Sequence, residues 1–167
     1  MSEYKHEFMT LEEMAELVKP KSNVLSYTSV NKDGQYEVGL DINFGTSFET
    51  MGSKRIAMGR TVIPKQTANE RHMHFNCEAS MYIISGTMVA YVGPDAKQVI
   101  CPAGSFVYAG EGEIHGVTNP SDKEDVLLVF AYGGVPNKEA ARTIFVKDDP
   151  SVYPPKGWDD PKLAEVK

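Results

Sequence analysis

At 167 residues, with 41% hydrophobic and 24% charged side chains, the chain has ordinary globular composition and enough length for one well-buried core. A formal net charge of −6 argues against nucleic acid as a partner, because phosphate binding needs clustered Lys and Arg. The sequence holds no long apolar run and no basic amphipathic helix, so no membrane attachment is expected.

Residues 1–20 are polar and acidic, unlike a secretory leader, and the expected compartment is the cytoplasm. Within them Thr10-Leu11-Glu12-Glu13 has the form of a capping box. Leu11, Met14, Ala15, Leu17 and Val18 follow at helical spacing, and Pro20 closes that short helix. From there the chain reads as strand and turn. Runs 24–30 and 36–43 flank Asn31-Lys32-Asp33-Gly34, whose Asp-Gly pair signals a hairpin. Residues 44–53, rich in Gly, Ser and Thr, read as a loop or an irregular edge strand. Short β-prone runs then recur at 55–63, 79–85, 87–92, 98–100, 105–109, 126–132 and 142–147. Between them stand Pro64, Gly86, Gly93-Pro94-Asp95, Pro102-Ala103-Gly104 and Asn119-Pro120-Ser121-Asp122, the punctuation an antiparallel sandwich or barrel requires. The tail from Asp148 carries Pro150, Pro154, Pro155, Pro161 and the single Trp158, and is expected to be extended. The organisation predicted is a helix with additional strands over 1–50, an all-β barrel over 51–147 and a Pro-rich tail over 148–167.

Three of the four histidines fall in two clusters, Arg71-His72-Met73-His74 and His115-Gly116-Val117-Thr118-Asn119. Two histidines at i and i+2 share one face of a strand, and a third on a later strand completes three corners of a metal site. Neutral imidazole is the commonest protein ligand for first-row transition metals, so the spacing is chemically meaningful. His6, in a polar leader, reads as a solvated bystander. Cys77 and Cys101 read as reduced, buried, small apolar residues, although Cys77 stands only three positions past His74.

His72-x-His74, Gly86, Pro102-x-Gly104 and His115-x3-Asn119 together resemble the two motifs of the cupin superfamily, over about residues 55–132. The resemblance implies a double-stranded β-helix, or jelly-roll, barrel around one divalent transition metal (Fe, Mn, Ni, Co or Zn), with His72, His74 and His115 as ligands. The family's usual glutamate ligand, counted back from Gly86, falls on Ala79, next to Glu78. Two arrangements therefore stand: Glu78 as a fourth ligand if a bulge re-aims it, or a site of three histidines. Gln66 occupies the place of a usual glycine, a change in the backbone freedom of a loop rather than in a ligand.

A jelly-roll cavity is largely apolar with a few polar groups to orient a ligand. Arg60 is a candidate fork for a carboxylate or enolate, and Glu78 and Tyr108 are candidate catalytic groups; Tyr82, Tyr91, Glu111 and Glu113 are further lining candidates. Met58, Met73, Met81 and Met88 read as core filler. The expected function is a metal-dependent enzyme on a small oxygen-rich metabolite such as a dicarbonyl, hydroxy acid or phenolic. Dioxygenase chemistry leads, because a glutamate-poor three-histidine site resembles that of several cupin dioxygenases. The alternatives are a redox-neutral lyase, hydrolase, isomerase or decarboxylase working through an enolate, and a cupin that binds a metabolite without catalysis. A homodimer is expected, through the edges of strands within 24–43.

Overall fold

A computed structural model describes residues 9–17, 31–32 and 40–147. In chain order these form α1 (Leu11–Leu17), β1 (Asn31–Lys32), β2 (Asp41–Thr46), α2 (Phe48–Met51), β3 (Ile56–Ile63), β4 (Thr67–Ala68), β5 (His72–His74) and β6 (Glu78–Ser85). There follow β7 (Thr87–Val92), β8 (Lys97–Pro102), β9 (Phe106–Ala109), β10 (His115–Asn119), β11 (Val126–Gly133), α3 (Lys138–Ala141) and β12 (Thr143–Phe145). Two antiparallel sheets result, in the orders β1-β2-β3-β11-β6-β9 and β12-β5-β10-β7-β8, with β4 paired to β10. The fold is the all-β jelly roll that the sequence implied. No helix among the described residues is long and apolar enough to cross a membrane.

Alternation sets which side chains meet between the sheets. On β3 the buried positions are Ala57, Gly59, Thr61 and Ile63; on β11 they are Val126, Leu128, Phe130 and Tyr132. The two strands pair from Val126↔Ile63 to Gly133↔Ile56 without a break, so both inward rows reach the same core. From the opposite sheet Met88, Ala90, Cys101 and Val117 complete it. At Gly59 the strands approach so closely that a Cβ would strike the Asn43 carbonyl oxygen and the Phe130 ring. β7 behaves differently: Met88 through Tyr91 are all buried, because Ala68, Ala96 and Ile100 cover its outer side.

Several sequence expectations are corrected here. Residues 44–53, read as a loop or an irregular edge strand, hold the irregular end of a strand and then a short helix. β2 runs on to Thr46, and Ser47 then caps α2 reciprocally: the Thr50 amide donates to the Ser47 hydroxyl at 3.3 Å, and the Ser47 amide to the Thr50 hydroxyl at 2.9 Å. Asn31 and Lys32, expected in a turn, pair instead with Phe44 and Asn43. The Thr10–Glu13 box forms as expected, with the Thr10 amide 2.7 Å from the Glu13 carboxylate, but Leu11 and Met14 remain exposed. Gln66 adopts a left-handed φ of 52°, the conformation a glycine would take there without strain, and its amide donates to the Ser121 carbonyl at 3.1 Å. The expected strand 24–30, the Asp-Gly hairpin turn, the tail 148–167 and His6 lie outside the described residues.

Candidate metal centre

β5 is only three residues long, and its burial pattern sends His72 and His74 inward while Met73 stays half-buried. His115 opens β10 and stands directly opposite His72 in the antiparallel register. The three rings therefore converge from two neighbouring strands. Their centroids are 4.5 Å apart for His72 and His115, 4.9 Å for His72 and His74, and 5.2 Å for His74 and His115. One ring nitrogen from each lies within 4.8 Å of the others. All three side chains are buried.

Each ring has an anchor on its Nδ1. For His72 it is the Glu70 carbonyl at 2.8 Å, and for His115 the Glu113 carbonyl at 2.9 Å. A carbonyl only accepts, so in the neutral ring the hydrogen sits on Nδ1 and the lone pair on Nε2. The His74 Nδ1 lies 3.1 Å from the Thr143 hydroxyl. Burial holds the His72 imidazole below its ordinary range. Burial, and then the nearby His72 and His115, push His74 down to about 3. His72 and His74 are thus held toward the neutral form, whose lone pair a divalent cation requires of a ligand. The donor set fits a first-row transition metal.

Behind the rings, Arg71 is a clamp rather than a site residue. Its Nη1 donates to the carbonyls of Gly93 and Pro94 at 3.2 and 3.0 Å, and its stem lies so close to Gly116 that a Cβ there would meet the Arg71 Cγ at 3.0 Å. Asn119, fully buried, pins the turn before β11: its amide donates to Ile63 and Glu124, and its carbonyl accepts from Ser121. Asn69 accepts from the Val117 amide at 2.7 Å and lines the cavity.

That cavity has a volume of about 40 Å³. Leu40, Ile42, Met81, Leu128 and Phe130 wall it, and Thr61, Asn69 and Tyr132 supply polarity beside the histidines. Strand parity decides which candidates reach it. Thr61 and Ala79 line it, so their neighbours Arg60 and Glu78 point out of the barrel, both exposed. A bulge re-aiming Glu78 is absent at that end of β6; the register runs unbroken from Glu78 to Ile83 and shifts only at Leu127/Leu128. Tyr108, 60% exposed on β9, donates to Glu78 Oε1 at 2.7 Å. Arg60, Glu78 and Tyr108 thus share the outer face of the first sheet, and none of them lines the cavity. Tyr82 is likewise exposed, and Tyr91 is buried in the small cluster outside the second sheet. Glu113 ties its own turn by accepting from the Gly110 amide, and Gly112 donates to the His74 carbonyl at 2.8 Å. Cys77 is a core residue whose thiol burial pushes up to about 11.

Thr61, Asn69, Tyr132 and the pair Leu40 and Ile42 were missed in the sequence. Tyr132, 4% exposed, packs with its ring tilted against His74, centroids 4.5 Å apart, and its parity with Leu128 and Phe130 was the signal available. Leu40 and Ile42 come from a segment read only as packing on the barrel.

Comparison with known proteins agrees with this architecture. The family model described as "Cupin domain" matches residues 59–132. The polyketide cyclase RemF of Streptomyces resistomycificus superposes with a TM-score of 0.57 at 17% identity, over 78% of this chain and 90% of that one. An uncharacterised protein with a double-stranded β-helix domain from Klebsiella pneumoniae gives 0.56 at 16% identity, over 77% of this chain and all of that one (100%). The oxalate decarboxylase of Lactobacillus farciminis gives 0.61 at 14% identity over 77% of this chain, which spans only 38% of that enzyme. No curated protein matches the chain in sequence. At these identities the likeness is one of fold.

Proposed function

Residues 59–132 place this chain in the cupin superfamily, and from that premise we propose that it is a metal-dependent enzyme acting on a small oxygen-rich metabolite, by dioxygenase-type chemistry. His72, His74 and His115 hold the ion, which is Fe, Mn, Ni, Co or Zn by donor type. When bound, the ion supplies Lewis acidity and, as iron, reactivity toward dioxygen.

The observation that carries this reading is the absence of any carboxylate among the described lining residues. Three neutral imidazoles leave both positive charges of a divalent ion without a counter-charge. A ligand offering two oxygens and at least one negative charge, such as a dicarbonyl enolate, a hydroxy acid or a phenolate, supplies what the protein does not. The apolar wall of Leu40, Ile42, Met81 and Leu128 then receives its hydrocarbon part, and Thr61 and Asn69 orient it. A redox-neutral reaction through an enolate needs a proton carrier in the cavity. Glu78 and Tyr108 lie on the outer face, which leaves Tyr132 as the titratable lining group beside the histidines. That shortage favours oxygen chemistry over proton shuttling.

The test begins with metal analysis of protein purified without added metal. His72→Ala is expected to reduce bound metal at least ~10-fold while the barrel still folds. Oxygen uptake is then followed with acetylacetone and catechol as probes. Turnover that continues undiminished without oxygen overturns the dioxygenase reading in favour of the redox-neutral one. Probe affinity unchanged in His72→Ala would instead indicate a binding protein.

A further inference from the structure

We propose that Thr143 is a positioning residue for His74, selecting the ring tautomer in which that histidine can act as a ligand; the proposal rests on the metal-binding reading above. Thr143 lies outside residues 59–132, so the family match does not contain it.

The geometry begins with β12, three residues at the edge of the second sheet. It pairs with the histidine strand in the register Thr143↔His74, Ile144↔Met73, Phe145↔His72. Its register is pinned at both ends. The Phe75 amide donates to the Arg142 carbonyl at 3.2 Å, and the Val146 amide to the Arg71 carbonyl at 2.8 Å. The turn from α3 into the strand is made by Arg142 at a left-handed φ of 51°, and the Asn76 side chain ties that turn down by donating to Ala140 at 3.1 Å. Cross-strand parity then sets Thr143 beside His74 and Phe145 beside His72, whose ring lies 5.5 Å from the Phe145 ring.

The chemistry of the three anchors differs. His72 and His115 each donate to a carbonyl two residues earlier in their own segment, and a carbonyl cannot donate back. The anchor of His74 comes from 69 residues further along the chain and is a hydroxyl. A hydroxyl either accepts or donates. When it accepts, the hydrogen sits on Nδ1 and the Nε2 lone pair is available to an ion. When it donates, the hydrogen moves to Nε2, and the ring has no lone pair left for the cavity. Packing against Tyr132, 4.5 Å away, restricts the ring itself, so the hydroxyl governs the freedom that remains. His72 and His115 are ligands by local backbone geometry; His74 becomes one through Thr143.

Three variants of the full chain test this: Thr143→Val, which keeps the shape and removes the hydroxyl, Thr143→Ser, which restores it, and Thr143→Ala, in case valine misfits. Two readouts are taken. The first is calorimetric titration with Zn(II) alone, where Thr143→Val and Thr143→Ala are expected to bind ~10- to 100-fold more weakly and Thr143→Ser close to wild type. The second is nitrogen-15 correlation spectroscopy of the histidine rings in metal-free protein. The wild type should show His74 with its hydrogen on Nδ1, and the variants lacking the hydroxyl should move it toward Nε2, with His72 and His115 unchanged. An unaltered His74 tautomer in folded Thr143→Val or Thr143→Ala overturns the proposal. So does a Thr143→Ser protein that folds but remains as weak as valine, since the effect is then one of packing. If wild type binds no Zn(II), it is the metal reading that fails, and the tautomer comparison alone decides the role of Thr143.

Discussion

One methyl group settles the electrostatics of the centre. Ala79 is 2% exposed and lines the cavity, whereas Glu78, one residue earlier, carries its charge into solvent beside Tyr108. Ala79→Glu moves a carboxylate to the inner face. Without metal it buries an ionisable group among apolar neighbours, and a loss of about 2–4 kcal/mol is expected, with the melting temperature falling accordingly. Added Zn(II) should recover more stability in this variant than in wild type, because the carboxylate joins the donor set; equal metal-induced shifts in thermal melts would contradict that. The thiols carry a second prediction. Burial raises Cys77 from an ordinary 9.0 to about 11. The folded protein therefore favours the protonated thiol: this contribution to stability is complete below pH 9 and is lost as pH rises through 11. At pH 8 the thiolate fraction is about 100-fold below that of an ordinary cysteine, so iodoacetamide should label native Cys77 at least that much more slowly than the unfolded chain. Rapid native labelling would mean that the core around it opens.

At the level of elements, strands with one wet face announced themselves. β3, β6 and β11 alternate, and each was legible to within a residue or two. β10 was not among the β-prone runs assigned: its five residues, His115 to Asn119, include only Val117 and Thr118 as β-branched side chains, with Gly116 before and Asn119 after them. α2 and α3, four residues each, are too short for a helical period, and they hold through the caps at Ser47 and Asn137 instead. The histidine trio was legible from i, i+2 spacing, whereas the fate of Glu78 depended on whether β6 bulges, a property of its pairing with β11 that spacing does not encode. Pairing also explains why Gly59 is a glycine. In Gly59→Ala the new methyl meets the Asn43 carbonyl on β2, a backbone atom that cannot turn aside. A destabilisation of about 2–3 kcal/mol is expected, read as a lower urea midpoint at unchanged slope. A midpoint within error of wild type would show that β2 is free to move away.

Across the whole molecule the cavity belongs to no single segment. Two rings come from β5 and one from β10; Leu40 and Ile42 arrive on or just before β2; Phe130 and Tyr132 come from β11 in the facing sheet. With Thr143 on β12 against His74, the centre draws on chain from both sides of the cupin match at 59–132. Global unfolding must separate these contributors, so an ion bound by the trio stabilises the entire barrel rather than one loop. Binding to the native state alone adds RT ln(1 + [L]/Kd), about 4 kcal/mol at a thousandfold excess over Kd. For a domain of this size that corresponds to a rise of roughly 8–16 °C in melting temperature. Zn(II) added to metal-free protein should produce such a shift and EDTA should reverse it. His72→Ala, His74→Ala and His115→Ala should each melt without it, because two remaining imidazoles hold the ion too weakly. A shift that persists undiminished in all three variants would place the ion elsewhere on the molecule, and the centre argued from these rings would then be a packing arrangement of neutral histidines.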